Sequence, residues 1–192
     1  MILRPSAVLA ALLAAAVPAV AAPPAGPPIA PSVADAIASQ TGAWRGSLEY
    51  RDYQADRWFG IPMAVTITDG GDGVTQIRTA DFDDGPKVGI VRITTMSMLG
   101  ADGTTEYSTA FRKGRVPELS SAQLTLTAWR DPAHWSMRAE ERAADDDRPA
   151  LIRTTFTRDG DTLTSLKEVD FTDDTAEEWL VRNRTTLERA AP

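Results

Sequence analysis

The sequence predicts an all-β protein, an antiparallel up-and-down meander that closes into a barrel of about eight to ten strands after a short N-terminal helix. Two observations support this fold class. Short clusters of Asp, Gly and Pro recur at regular intervals after residue 40. The runs between these clusters have the length of strands and are rich in Val, Ile, Thr, Trp and Phe, which favour extended backbone.

The turn clusters consist of the residues that hairpin connections require. Because nine of them separate about ten strands by short connections, they indicate a meander. A sandwich usually needs long crossover connections, and the sequence shows none after residue 40. A barrel is therefore favoured over a sandwich. The clusters lie at residues 54–56, 69–73, 83–86, 100–103, 113–114, 131–132, 145–147, 159–161 and 173–174.

The N-terminus has the three-part pattern of a secretory signal peptide, which we assign to residues 1–21. Arg4 provides an early positive charge, an apolar run covers residues 7–17, and small residues precede an expected cleavage after Ala21. The apolar run is shorter than the ~20 residues of a membrane-spanning helix, so no stable membrane anchor is expected. Basic charge comes almost entirely from arginine, which indicates a bacterial source with a GC-rich genome. We therefore expect the protein in the periplasm or the medium.

Three segments follow the signal peptide. Residues 22–31 are rich in proline and predict an extended linker. Residues 32–40 predict a short helix, because Ser32 can cap it and Asp35 stands where a capping box places an acid. Residues 41–190 are expected to form the barrel.

Composition excludes several kinds of protein. The chain has no cysteine, so it has neither a cysteine nucleophile nor the cysteine that anchors bacterial lipoproteins. Its formal net charge is −7, and its arginines alternate with acids, so no nucleic-acid partner is expected. His134 is the only histidine, which excludes a zinc site built on several histidines. No metal site is predicted, because Asp81, Asp83 and Asp84 fit a turn better than a calcium loop.

The first predicted strand begins with Gly42-Ala43-Trp44, directly after the short helix. This G-x-W start resembles that of the calycins, the superfamily of lipocalins and their relatives. The resemblance implies that Trp44 closes one end of the barrel and that an arginine late in the last strand lies across it. Strand parity favours Arg189 for this role, with Arg184 in reserve. The pattern W-x-G-x-L-x-Y-R-D-Y from Trp44, with a later F-D-D-G-P, also resembles a family of secreted bacterial proteins, from which no function follows.

Strand parity also predicts which side chains line the barrel interior, where a ligand would bind. On the first strand the inward face includes Tyr50. On the strand after Pro86 the predicted face holds Arg92 and Met96, with Val88, Ile90, Thr94 and Met98. On the last strand it holds Trp179 and Asn183, with Val181 between them. The predicted ligand-binding residues are Tyr50, Arg92, Met96, Trp179 and Asn183.

Three functions follow from these observations. We expect a non-enzymatic binder of a small apolar or amphipathic molecule, because no catalytic arrangement is evident. An envelope interaction module with a filled core is the first alternative, and it predicts an exposed apolar patch on the outer face. A hydrolase-type enzyme that uses inward carboxylates and Arg92 is the second, and it predicts a cavity holding at least two acids with strongly shifted pKa values. Haem bound through His134 is possible in principle but is not favoured, because parity turns His134 away from Trp135 and Met137.

Overall fold

A computed structural model describes residues 30–53, 55–173, 175–176 and 178–191. The predicted signal peptide and nearly all of the predicted linker lie outside these residues. Within the described part of the chain, no helix is long and apolar enough to cross a membrane.

The described chain forms one short helix and ten antiparallel strands that close into a barrel, which confirms the predicted fold class. Each strand pairs with its neighbours in sequence, and the last strand pairs with the first. The elements are α1 (Val33–Ser39), β1 (Gly42–Asp52), β2 (Arg57–Asp69), β3 (Thr75–Asp83), β4 (Ile90–Leu99), β5 (Thr105–Arg112), β6 (Glu118–Asp131), β7 (His134–Asp145), β8 (Arg148–Asp159), β9 (Thr162–Phe171) and β10 (Leu180–Arg189).

Helix α1 begins with the capping box that its sequence predicts. The Ser32 hydroxyl accepts a hydrogen bond from the Asp35 backbone N–H, and the Asp35 carboxylate accepts one from the Ser32 backbone N–H at 2.8 Å. Val33 and Ala36 are buried against the barrel core. A helix of seven residues cannot persist alone in water, so this apolar contact and the cap hold it across one end of the barrel.

Helix α1 ends on polar side chains from the barrel wall. Its last carbonyl groups have no partners within the helix. The Gln76 amide donates to the Ile37 carbonyl at 3.0 Å, and the Trp44 indole donates to the Gln40 carbonyl at 2.8 Å. Arg158 and Arg189 both donate to the Ser39 carbonyl, where the negative end of the helix favours cations. These bonds hold the helix across one end of the barrel as a plug. We call this end of the barrel the closed end.

The ladder between β6 and β7 is incomplete. It runs from Asp131 paired with His134 to Gln123 paired with Glu140. Beyond that point residues 118–122 pair only with β5, and residues 141–145 pair only with β8. The two strands therefore separate towards the end of the barrel opposite α1, which leaves a lateral opening in the wall.

Two closed-end turns share the sequence Asp-Gly-x-Thr and the same hydrogen bonds. In the first, Asp72 accepts from two backbone N–H groups and from the Thr75 hydroxyl. In the second, Asp102 accepts in the same way from the backbone of Thr104 and Thr105 and from the Thr105 hydroxyl. These bonds, led by the threonine hydroxyl, lower the pKa of both carboxyl groups to about 2 from the ordinary 3.8.

We expect these turns to make folding acid-sensitive. Because both folded-state pKa values are depressed, the stabilisation is present above pH 3.8 and is lost as the pH falls towards 2. Asp102→Asn should therefore flatten the decline in unfolding free energy over this interval, as measured by urea titrations at several pH values. Asp147→Asn, at an exposed turn, is the control and should retain the wild-type slope. An unchanged slope in Asp102→Asn would contradict the assignment.

Candidate functional site: the barrel interior

The closed end is built around Trp44, whose side chain is only 1% exposed. Trp44 lies opposite Arg189 in the pairing of β1 with β10, so both side chains point to the same face. The Arg189 guanidinium carbon lies 4.2 Å from the centre of the Trp44 ring, and that of Arg158 lies 5.6 Å away. Burial is the main cause that lowers the pKa of Arg158, and the charge of Arg189 adds to it. Arg184, the reserve candidate, is on the outer face and stacks on Trp58.

Above this plug the barrel encloses a cavity of about 320 Å³. Its apolar lining lies towards the helix and the core, and its polar lining comes from β3, β4 and β5 and from β8, β9 and β10. The interior is thus more polar than strand parity alone had indicated. Apolar lining includes Ile37, Ile67, Leu124, Met137, Phe156 and Leu187. Uncharged polar lining includes Gln76, Thr95, Ser97, Ser108, Thr154 and Asn183.

Three charged residues also line the cavity: Arg78, Glu106 and Lys167. Lys167 is neutralised by Asp145, whose carboxylate oxygen lies 3.2 Å from its ammonium nitrogen. Burial raises the pKa of Glu106, although a hydrogen bond with Ser97 opposes this. The Arg78 side chain has no hydrogen bond or ion pair with any residue that the structure describes. Among the described residues, Arg78 is therefore the one charged residue of the cavity without a hydrogen-bond or ion-pair partner.

The lateral opening borders a groove of about 610 Å³ on the barrel surface. Residues 119–121 of β6 form one side, and residues 141–143 of β7 form the other. Ser97 and Ser108 line both the groove and the cavity, so the two spaces adjoin. Burial raises the pKa of Glu141 at the edge of the opening. The groove and the interior cavity thus meet at the lateral opening.

Two of the predicted ligand-binding residues point into the barrel. Asn183 lines the cavity, opposite Tyr50 in the pairing of β1 with β10. Tyr50 lies towards the open end and stacks on Phe59, with ring centres 5.5 Å apart. Burial raises the pKa of Tyr50.

The predicted inward face of β4 was wrong. Leu99 is buried, and the alternation from it turns Ile93, Thr95 and Ser97 inward. Met96 is 49% exposed, and Arg92 is bound on the outer face to the Asp81 carboxylate at 2.6 Å. Apolar residues occur on both faces of this strand, so its sequence did not distinguish them. The enzyme hypothesis thereby loses Arg92. Burial raises the pKa values of Glu106 and Glu141, but of these two acids only Glu106 lines the cavity.

The prediction for Trp179 was also wrong. The pairing of β10 with β9 shifts between Val181 and Asn183, which marks a β-bulge. Because a bulge reverses the faces of the strand beyond it, Leu180 rather than Val181 lies opposite the buried Val169. Trp179 instead packs on the outer face, with its ring 4.0 Å from the Arg153 guanidinium carbon.

His134 lies outside the cavity, as the alternation of side chains along its strand predicted. Its neighbour Trp135 is buried, so the His134 side chain points to the opposite face of β7. Its Nδ1 atom lies 2.7 Å from an Asp131 carboxylate oxygen, and its Nε2 atom lies 3.5 Å from Asp159. The interior therefore offers no imidazole to a haem iron.

Sequence reasoning missed the three charged cavity residues. Arg78 alternates with Gln76, Ala80 and Phe82 along β3, and Ala80 is fully buried. Applying parity to this strand would have placed Arg78 inside the barrel. The lack of a partner for Arg78 among the described residues, in contrast, depends on which side chains the other strands of the closed barrel place near it. No pattern in the sequence reports this.

The chain is similar in structure to the crystal structure of Rv2717c from M. tuberculosis, with a TM-score of 0.57. The two sequences are 15% identical, and the similarity covers 83% of this chain and 99% of that chain. No protein-family model and no curated protein matches the sequence. The similarity therefore supports the fold alone, a closed antiparallel barrel of ten strands.

Proposed function

We propose that this protein is an exported binder that holds a small amphipathic molecule inside its barrel. The observation that carries this proposal is the interior cavity with its apolar and polar sides. Its volume of about 320 Å³ lies at the lower end of the range typical of small-molecule sites. At ~30 Å³ for each non-hydrogen atom, as in liquid water, it holds about ten such atoms.

The lateral opening between β6 and β7 supports the same proposal. A closed β-barrel with a plugged end would otherwise release a ligand only through its open end. Here the ladder stops at Gln123 and Glu140, and serine side chains line the passage beyond it. A small amphipathic molecule can thus reach the cavity without breaking any strand pairing.

Export is supported by the sequence pattern of residues 1–21. An exported binder without disulfides must fold by its own core, and the chain contains no cysteine. The N-terminus of protein recovered from the periplasm or medium tests this part of the proposal. Ala22 is the expected first residue, and a protein that retains Met1 would contradict export by cleavage.

Ligand binding can be tested by calorimetry with octanoate, which has ten non-hydrogen atoms, and by native mass spectrometry of protein purified from its producing cells. We expect one octanoate to bind to each chain. Thr154→Phe should abolish this binding, because Thr154 lines the cavity and a larger side chain would fill it. Thr155→Phe is the matched control, since it places the same ring on the outer face of the same strand.

Two outcomes would contradict the binder. One is a wild-type protein that binds neither octanoate nor octanol and is always recovered empty. The other is equal binding by wild type and a folded Thr154→Phe variant, since the ligand would then lie elsewhere.

A second candidate function, an interaction module, is favoured by one observation. Large apolar side chains are exposed on the outer face of β4, β5 and β6, and the pairing of these strands makes them neighbours. An empty barrel that self-associates, or that co-purifies with a partner, would favour this function over the binder. The exposed side chains include Met96, Met98, Tyr107, Phe111 and Leu119.

A further inference from the structure

We propose that Arg78 recognises a carboxylate, so that the ligand of this barrel is a medium-chain carboxylic acid. This inference rests on the proposed binding function and names the chemical class of its ligand. It depends on three properties of Arg78: its position in the cavity wall, its lack of a partner, and the geometry of its guanidinium group.

Arg78 is held in the wall by residues that cannot neutralise it. Its neighbours in the adjacent strands are Ile67, which is 1% exposed, and Thr95. The inward residues beside it on β3 are Gln76, whose amide donates to helix α1, and Ala80. None of these four residues carries a negative charge.

The other inward arginines at this level of burial have partners, and Arg78 does not. Arg158 and Arg189 both donate to the Ser39 carbonyl at the closed end. Arg78 has no hydrogen bond or ion pair with the described residues. Burial lowers the pKa of Arg78, but a guanidinium remains charged in proteins. The Arg78 side chain is half-buried and lines the cavity. A charge that faces an interior cavity without a protein partner is available to an anion that enters from solvent.

The other charged groups that face the cavity leave Arg78 uncompensated. Lys167 on β9 is paired with Asp145 on β7. Glu106 on β5 is the one acid among the described residues that lines the cavity, and it forms no ion pair with Arg78. The Arg78 guanidinium thus remains available to a ligand with a negative charge.

The guanidinium group determines which anion fits best. Its planar donors match the two oxygens of a carboxylate in a bidentate pair. The remaining volume is lined on one side by apolar residues such as Ile67 and Phe156, which suit a short hydrocarbon chain. An acid of about ten non-hydrogen atoms satisfies both parts of the cavity.

The test measures the affinities of octanoate, octanol and octylamine for the wild type and for three variants by calorimetry. Arg78→Met removes the charge and the donors and keeps an unbranched side chain. Arg78→Lys keeps the charge but not the planar donors. Arg92→Met is the matched control, because Arg92 lies on the neighbouring strand but on the outer face, paired with Asp81.

We expect Arg78→Met to weaken octanoate binding at least ~10-fold and octanol binding less than ~3-fold. Arg78→Lys should give an intermediate loss for octanoate, and Arg92→Met should give none. Octylamine should bind more weakly than octanol to the wild type and should gain affinity in Arg78→Met. If Arg78→Met does not fold, as judged by circular dichroism, Arg78→Lys still tests the planar donors, and an unchanged octanoate affinity in this variant would contradict the inference.

Failure of this inference differs from failure of the proposed function. The role of Arg78 would be overturned if octanoate and octanol bound the wild type equally and a folded Arg78 variant kept the octanoate affinity of the wild type. The proposed binding function would still stand in that case. A wild-type protein that binds none of the three compounds would overturn both.

Discussion

Replacing Trp44 by alanine is expected to lower the free energy of unfolding by about 3–5 kcal/mol. The Trp44 side chain is almost fully buried beneath helix α1, so its removal leaves a large cavity at the closed end. The change also removes the indole that donates to the Gln40 carbonyl, and it takes away the ring against which Arg158 and Arg189 lie. Urea denaturation followed by circular dichroism measures the loss.

Trp58→Ala is the matched control for Trp44. Trp58 also stacks with an arginine, since the Arg184 guanidinium carbon lies 4.2 Å from its ring, but it does so on the outer face. We expect this variant to lose less than about 1.5 kcal/mol. Trp44→Phe should fall between the two variants, because it keeps a ring in the core and loses the hydrogen bond. Equal losses in Trp44→Ala and Trp58→Ala would contradict a closure role for Trp44.

Replacing Gly46 by alanine is expected to destabilise the barrel by more than about 2 kcal/mol. Gly46 lies in β1, beside β10, at the seam where the first and last strands close the barrel. A Cβ atom at this position would lie 1.9 Å from the carbonyl oxygen of Thr186 and 2.9 Å from its carbonyl carbon. Because the obstacle is backbone rather than a flexible side chain, the seam itself would have to move. Thermal unfolding and the yield of folded protein report the effect.

Gly60→Ala is the control for Gly46→Ala. Gly60 lies in the adjacent strand β2, where a Cβ atom would meet the Glu49 side chain at 3.5 Å, an ordinary contact. We expect a change of less than about 1 kcal/mol in this variant. If both alanine variants unfold at the same temperature, the close approach at the β1–β10 seam is not a determinant of stability.

Local features of this protein could be predicted from its sequence because their causes are local. The Ser32–Asp35 capping box depends on residues three apart, and it starts the helix where the sequence predicts. The Asp- and Gly-rich clusters favour turns through their own backbone conformations, and they correctly separated ten strands. An even number of strands also follows from these turns, and with it the pairing of Trp44 with Arg189 in the barrel seam.

The faces of the strands required the tertiary structure. On β4, Met96 and Ser97 are equally compatible with either face, and the polar Ser97 is the inward residue because the cavity is polar there. On β10 the bulge before Asn183 reverses the alternation, so Trp179 lies outside. The alternation of side chains along a strand assigns residues to two faces but does not indicate which face points into the barrel. A bulge, which reverses the alternation, has no reliable pattern in the sequence.

By itself, the sequence determined that this chain is a meander that begins with a capped helix, because turn chemistry, capping and strand order are properties of neighbouring residues. The tertiary structure alone decided that the wall opens between β6 and β7 and that Arg78 faces a cavity without an ion pair to any residue that the structure describes. The physical reason is that partners for a buried charge come from every strand around the barrel. The pairing of a side chain with residues tens of positions away is settled only when the barrel closes.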